Sequence, residues 1–90
     1  MEKPTVHLNG TPAECLLDQY KQARHLVQEA KAALEDAAPN ARDYYVQPDG
    51  DRAYARASLE HRDRTDRLWR IEQDLAELML HVDRQRRPPR

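Results

Sequence analysis

Apolar and small residues recur through the first half of the chain at Leu16, Tyr20, Ala23, Val27, Ala30, Leu34 and Ala37, at spacings that alternate between 4 and 3. Positions repeated in that way share one stripe of an α-helix, and a stripe held over successive heptads is the seam of a helix that packs along a partner. The alternation returns at Tyr54, Ala57, His61, Arg64, Leu68, Ile71, Leu75, Leu78 and Val82, with a polar interruption at His61 and Arg64. Between the two runs lies PNARDYYVQPDG, whose prolines, Asn40 and Asp49-Gly50 pair carry turn chemistry. The pattern predicts a single domain over residues 1–90: an extended arm at 1–10, a helix at 12–38, a connector at 39–50, a helix at 51–86 and a basic tail at 87–90. Its fold class is all-α, an antiparallel hairpin of two long helices with an extended N-terminal arm.

Local chemistry sharpens the ends. Thr11-Pro12-Ala13-Glu14 predicts a capping box, with Thr11 at the N-cap, Pro12 in the first helical position and Glu14 reaching back to Thr11. Asp49 or Asp51 is expected to cap the second helix. Folding the helices back with their ends level sets Leu16 opposite Leu75, Ala23 opposite Leu68 and Ala37 opposite Tyr54. The longer second helix then overhangs the first with Leu75 to Val82, which Val6 and Leu8 can cover only in part. Cys15, Leu17, Leu26 and Ala33 on the first helix, and Trp69, Met79 and Leu80 on the second, widen the apolar surface beyond one seam. Assembly into an oligomeric helical bundle is therefore expected, with a loosely packed monomer as the alternative.

Ninety residues allow only a modest core. Leu, Ile and Val make up about a sixth of the chain and charged residues 34%, close to the composition of disordered segments, but a net charge of only −1 argues for folding. Arg84, Arg86, Arg87 and Arg90 concentrate positive charge at the end, leaving the body acidic, so nucleic acid is not an expected partner and the tail reads as a solvated end. The single cysteine excludes an internal disulfide and a cysteine metal cluster. No run of about 18 apolar residues exists, and the first ten residues lack a signal-like stretch. These features predict a cytoplasmic protein that does not engage a membrane.

Enzymatic chemistry finds little support. His25 and Glu29, one turn apart, form half a zinc site at most and read as a surface pair. Cys15 in the first turns of a helix reads as a small hydrophobe beside the seam. His61 reads as a core histidine and His81 as a group beside the apolar overhang. With Gly10 and Gly50 alone there is no phosphate-binding glycine loop. No metal, cofactor or catalytic residue is expected.

Binding chemistry concentrates in the connector. Asn40, Arg42, Asp43, Tyr44 and Tyr45, followed by Arg52 and Arg56, suit a nucleotide: a base stacks on tyrosine, its edge meets an amide or carboxylate, and arginine holds phosphate beside a helix N-terminus. The alternative is that Tyr44 and Tyr45 plug the open end of the hairpin while Arg42 and Asp43 make an ordinary turn. A second polar cluster, His7 and Asn9 beside Thr11, lies at the opposite end and reaches the connector only of another copy in an antiparallel oligomer.

The segments HLNGT (His7 to Thr11) and PNARDYY (Pro39 to Tyr45) resemble small helical proteins of phages and prophages. The architecture is similar to that of oligomeric anti-defence sponges, and no functional residue is carried over from them. The resemblance implies a non-enzymatic homo-oligomer that sequesters a cyclic nucleotide or ADP-ribose-type immune signal in the host cytoplasm. A helical adaptor that binds a protein partner through its apolar face is the alternative reading of the same residues.

Overall fold

The computed structural model describes residues 1–86, and the predicted basic tail at 87–90 lies outside them. Two helices make the hairpin: α1, Ala13–Asp36, and α2, Gly50–Arg86, with a 3-10 turn at Ala41–Asp43 between them. No strand occurs among the described residues. The molecule is a rod of 65 × 23 × 20 Å with a radius of gyration of 19.5 Å, against about 12 Å for a compact domain of this length.

Helix α1 starts without the expected capping box. Pro12 is extended, at φ −57° and ψ 146°, and no side chain caps the helix. The proline ring sets a φ that helix and extended chain share, so ψ decides, and the first turn begins one residue late. The prolyl carbonyl accepts from Leu16 N at 3.1 Å, and Glu14 pairs with Arg86 at 3.7 Å instead of returning to Thr11. At the other end the Ala37 amide is shared among carbonyls of the last turn, Ala38 N reaches Glu35 O at 3.3 Å, and Pro39 prevents continuation. The helix is thus shorter at both ends than 12–38.

The connector is a chain of tight turns. Asn40 Oδ1 accepts from Arg42 N at 3.1 Å. Tyr44 N and Tyr45 N donate to Ala41 O, Gln47 N to Tyr44 O, and Gly50 N to Gln47 O. Glycine suits position 50, because a Cβ there would stand 2.7 Å from Tyr44 O and 2.9 Å from Tyr45 Cα and force the connector to shift. The carbonyl of Asp49 receives the first helical bond of α2, from Ala53 N at 2.9 Å, so Asp49 holds the cap position through its backbone.

The register differs from the one with helix ends level. Glu72 meets Gln28 and Lys31, at 2.9 and 2.8 Å, and Arg86 meets Glu14. Relative to the expected pairing, α2 has slid about nine residues, two and a half turns or roughly 14 Å. The overhang consequently lies at the N-terminal end of α2, around residues 50–63, where the connector packs on it. The C-terminal segment expected to project is instead enclosed, and Val82 has 0% exposure. The arm closes that end: Val6 N donates to Gln85 Oε1 at 2.7 Å, Gln85 Nε2 donates to Pro4 O at 3.0 Å, and His81 Nε2 lies 3.0 Å from the same carbonyl. Val6 is half-buried there, whereas Leu8 is 98% exposed.

The line of contact between the helices follows most of the predicted seams, with Leu16, Tyr20, Ala23, Val27 and Leu34 on α1 and Ala57, His61, Leu68, Leu75, Leu78 and Val82 on α2 half-buried or buried, and steps one residue onward midway, where Lys31 and Glu72 turn inward while Ala30, Arg64 and Ile71 turn outward. The core is thin: among the described residues Ala13, Ala53 and Val82 are the buried apolar ones, joined by Glu72.

Candidate functional site

The connector cluster is assembled in part and spent in part. The Asn40 side chain is occupied in holding the 3-10 turn. Arg56 is paired with Asp49 at 2.8 Å, and this guanidinium hydrogen bond keeps the Asp49 carboxyl below the usual carboxylate range. Tyr44 is half-buried, its ring 6.1 Å from that of Tyr54 at 48°, the tilted geometry aromatic pairs favour. Arg42, Asp43, Tyr45 and Arg52 remain exposed. Arg52 borders a shallow cleft of about 360 Å³ with Pro48, Asp49, Gly50 and Asp51. His7 and Asn9 sit at the arm end; along α2 the two clusters are about 50 Å apart, so one chain does not bring them together.

Of the remaining polar candidates, His25 and Glu29 form an exposed pair at 3.1 Å, and His61 is half-buried. Cys15 is exposed, not the buried hydrophobe its neighbours suggested. No group of three potential metal ligands converges among the described residues. No helix is long and apolar enough to cross a membrane among them.

The polar group that the sequence reading passed over is Glu72. It is only 8% exposed, and its carboxylate accepts from Lys31 Nζ and Gln28 Nε2, with Arg24 Nε 3.9 Å away. The Lys31 hydrogen bond first, then that of Gln28, holds the Glu72 carboxyl below the ordinary glutamate range against the opposing effect of burial. Arg24 Nε is buried with no hydrogen-bond partner. Lys31 and Glu72 each follow a predicted seam residue, Ala30 and Ile71, by one position. Two hydrogen-bond donors and a nearby guanidinium around one carboxylate specify where along α2 the first helix rests, a register role that buried polar groups take in helix pairs.

No family model, curated protein or solved structure matches this chain.

Part of the surface is apolar. The chain exposes 7186 Å², about a third more than the roughly 5,400 Å² of a compact monomer of its mass. Leu26, Trp69, Ile71 and Leu80 are each about half exposed, on two flanks of the hairpin. Positions one after the contact line put Leu17, Trp69 and Leu80 on one flank, where Leu17, Met79 and Leu80 line a cleft of about 400 Å³ rimmed by Asp18, Lys21, Asp83 and Arg86. Positions one before it put Leu26, Ala30 and Ala33 with Ile71 on the other. There Leu34, Leu68 and Ile71 line a cleft of about 430 Å³ with Arg64 and Arg67.

Proposed function

We propose that this chain is a non-enzymatic helical binding protein that acts through protein contacts made by the apolar flanks of its hairpin. The observation that carries the reading is how little of the apolar surface is covered: among the described residues Ala13, Ala53 and Val82 are the buried apolar ones, while Leu26, Trp69, Ile71 and Leu80 stand about half in water. A core that small leaves a domain of this size short of stability unless another surface covers it. The test is titration of an apolar-surface dye onto the dilute purified protein, with Trp69 emission followed in parallel. Strong dye enhancement with solvent-like tryptophan emission is the expected result. A dye-silent protein with a shielded Trp69 overturns the reading.

Capture of a cyclic nucleotide or ADP-ribose-type signal is the second reading, supported by the exposure of Arg42, Tyr45 and Arg52 around the start of α2. It has fewer groups to work with, since Asn40 and Arg56 already hold the connector, and His7 and Asn9 reach it only from another copy. Native mass spectrometry with a pool of linear and cyclic nucleotides decides it: a defined bound mass, lost in Arg42→Ala with Tyr45→Ala, supports capture, and no bound mass ends it.

A further inference from the structure

We propose that one stripe of α2, Glu77, His81 and Gln85, is a docking site for an extended segment of a partner protein that carries a basic residue, proline, any residue and an aliphatic residue in that order. The arm of this chain, with Lys3, Pro4 and Val6, is the tethered occupant of the site and the competitor of that partner. Residues 77, 81 and 85 are four apart and share one face of the helix, and they meet the arm in chain order. Lys3 Nζ lies 3.1 Å from Glu77 Oε1. Pro4 O accepts from Gln85 Nε2 at 3.0 Å, with His81 Nε2 also 3.0 Å away, and Val6 N donates to Gln85 Oε1 at 2.7 Å. The two lengths agree, since Lys3 to Val6 spans about 10 Å of extended chain and Glu77 to Gln85 about 12 Å of helix.

Most of these contacts recognise backbone, which makes them transferable to another chain. In an extended strand the carbonyl of one residue and the amide two residues on lie along the same edge, and a residue of an adjoining parallel strand bonds to both. Gln85 engages that pair with its side chain, whose amide nitrogen donates while its oxygen accepts. Docked extended peptides divide the work in this way: main-chain hydrogen bonds hold the segment, and side chains select its sequence. Selection here falls to the Lys3 ammonium against the Glu77 carboxylate and to the half-buried Val6. Proline fits between them because its fixed φ suits extended chain and it brings no amide to be satisfied. Thr5 is exposed, so its position is left unselected.

The arm itself is lightly held. Pro4, Val6 and Gly10 are half-buried, whereas Met1, Glu2, Lys3, His7 and Leu8 are exposed. A tethered segment needs little affinity to stay seated, because its attachment keeps it at an effective concentration on the order of millimolar. A partner segment with contacts beyond these four residues therefore displaces the arm, and a short free peptide binds only when the arm is weakened. None of the residues involved belongs to the exposed apolar group Leu26, Trp69, Ile71 and Leu80, so the site stands apart from the flanks proposed above and does not depend on them.

The experiment is fluorescence anisotropy of a labelled peptide of residues 1–9, titrated with the full chain as wild type, as Val6→Asp and as Val6→Asp with Gln85→Ala. Val6→Asp removes the aliphatic anchor of the attached arm and leaves α2 unchanged, so it should bind the peptide about ten-fold more tightly than the wild type, or better. Adding Gln85→Ala should cancel that gain, and a peptide of the same residues in scrambled order should not bind. Lys3→Glu alters only an exposed ion pair and lifts the arm by a second route, with an expected gain of about three-fold; it decides the question if Val6→Asp loses helical circular dichroism. The proposal is overturned if neither variant binds the peptide more tightly than the wild type, if the scrambled peptide binds equally well, or if the gain survives Gln85→Ala. Light scattering on the wild type tests the occupant: single-chain mass is expected, and a two-chain mass that returns to one on adding the peptide would give the site to the arm of a second copy and overturn the partner protein.

Discussion

The two ends of α2 are built on different principles. At the C-terminal end three segments converge: the start of α1, the last turns of α2 and the arm, whose backbone is held by Gln85 and His81. Val82 disappears from solvent there. At the N-terminal end α2 runs past α1 and meets only the connector, and Tyr45, Val46 and Leu59 are 72%, 73% and 66% exposed. One helix therefore carries a closed end and an open one, and closure follows the number of chain segments that meet rather than local hydrophobicity. The largest expected break in this contrast is Val82→Ala. Removing methyl groups from a site with no exposure should cost about 2 kcal/mol, lowering the unfolding midpoint by roughly 10 °C in a thermal melt.

What decides which end is open is the register, and Glu72 is its pin. Its carboxyl is held below the ordinary glutamate range in the folded chain by Lys31 and Gln28. A depressed folded value means that the unfolded state binds the proton first as pH falls. The stabilisation is therefore complete at neutral pH and is lost as acid passes below the ordinary glutamate range and through the lower value in the fold. Thermal melts between neutral pH and pH 3 should show this decline in the wild type and a flatter profile in Glu72→Gln. Equal profiles would mean that the carboxylate does not hold the register.

Much of the architecture is legible in the sequence because it depends on local signals: two heptad-like runs, Pro39 as a stop and the Asp49-Gly50 turn give the two helices and the connector nearly to the residue. The offset between the helices is not, because it is set by contacts distant in sequence. A charged Glu72 opposite Lys31 outweighs the tidier choice of level ends, and nothing within either run signals that choice except that both residues follow the seam by one. Thr11 illustrates a different failure: the motif was complete, but Pro12 took the extended branch that its fixed φ also permits. In the connector, residue types suited to a nucleotide are concentrated. Asn40 and Arg56, however, are the same residue types that turns and helix starts use for themselves.

A smaller effect tests how tightly the connector sits on the open end. Gly50→Ala brings a Cβ against Tyr44 O and Tyr45 Cα, both backbone atoms, so the connector must shift, and part of that cost is offset by the better helix propensity of alanine. The balance is expected near 1 kcal/mol of destabilisation. At Gly10 the nearest atoms belong to the His7 ring, a side chain free to turn away. Gly10→Ala should be neutral in the same denaturant titration, and a neutral Gly50→Ala would show that the open end is looser than its turn hydrogen bonds imply.

The smallest expected change is at Leu59, on the part of α2 that projects beyond α1. With two thirds of its surface already in water, Leu59→Ala should move the stability by no more than about 0.5 kcal/mol, measured by denaturant titration beside Val82→Ala. Leucine and alanine are both good helix formers, so intrinsic propensity does not mask the result. A loss comparable with that of Val82→Ala would mean that a surface covers Leu59 in solution. The projecting end would then be part of an interface of its own, and the contrast between a closed and an open end would hold for the isolated chain alone. A near-zero effect would leave the projecting turns of α2 and their connector free of such a surface, and the contrast between the ends would hold in solution.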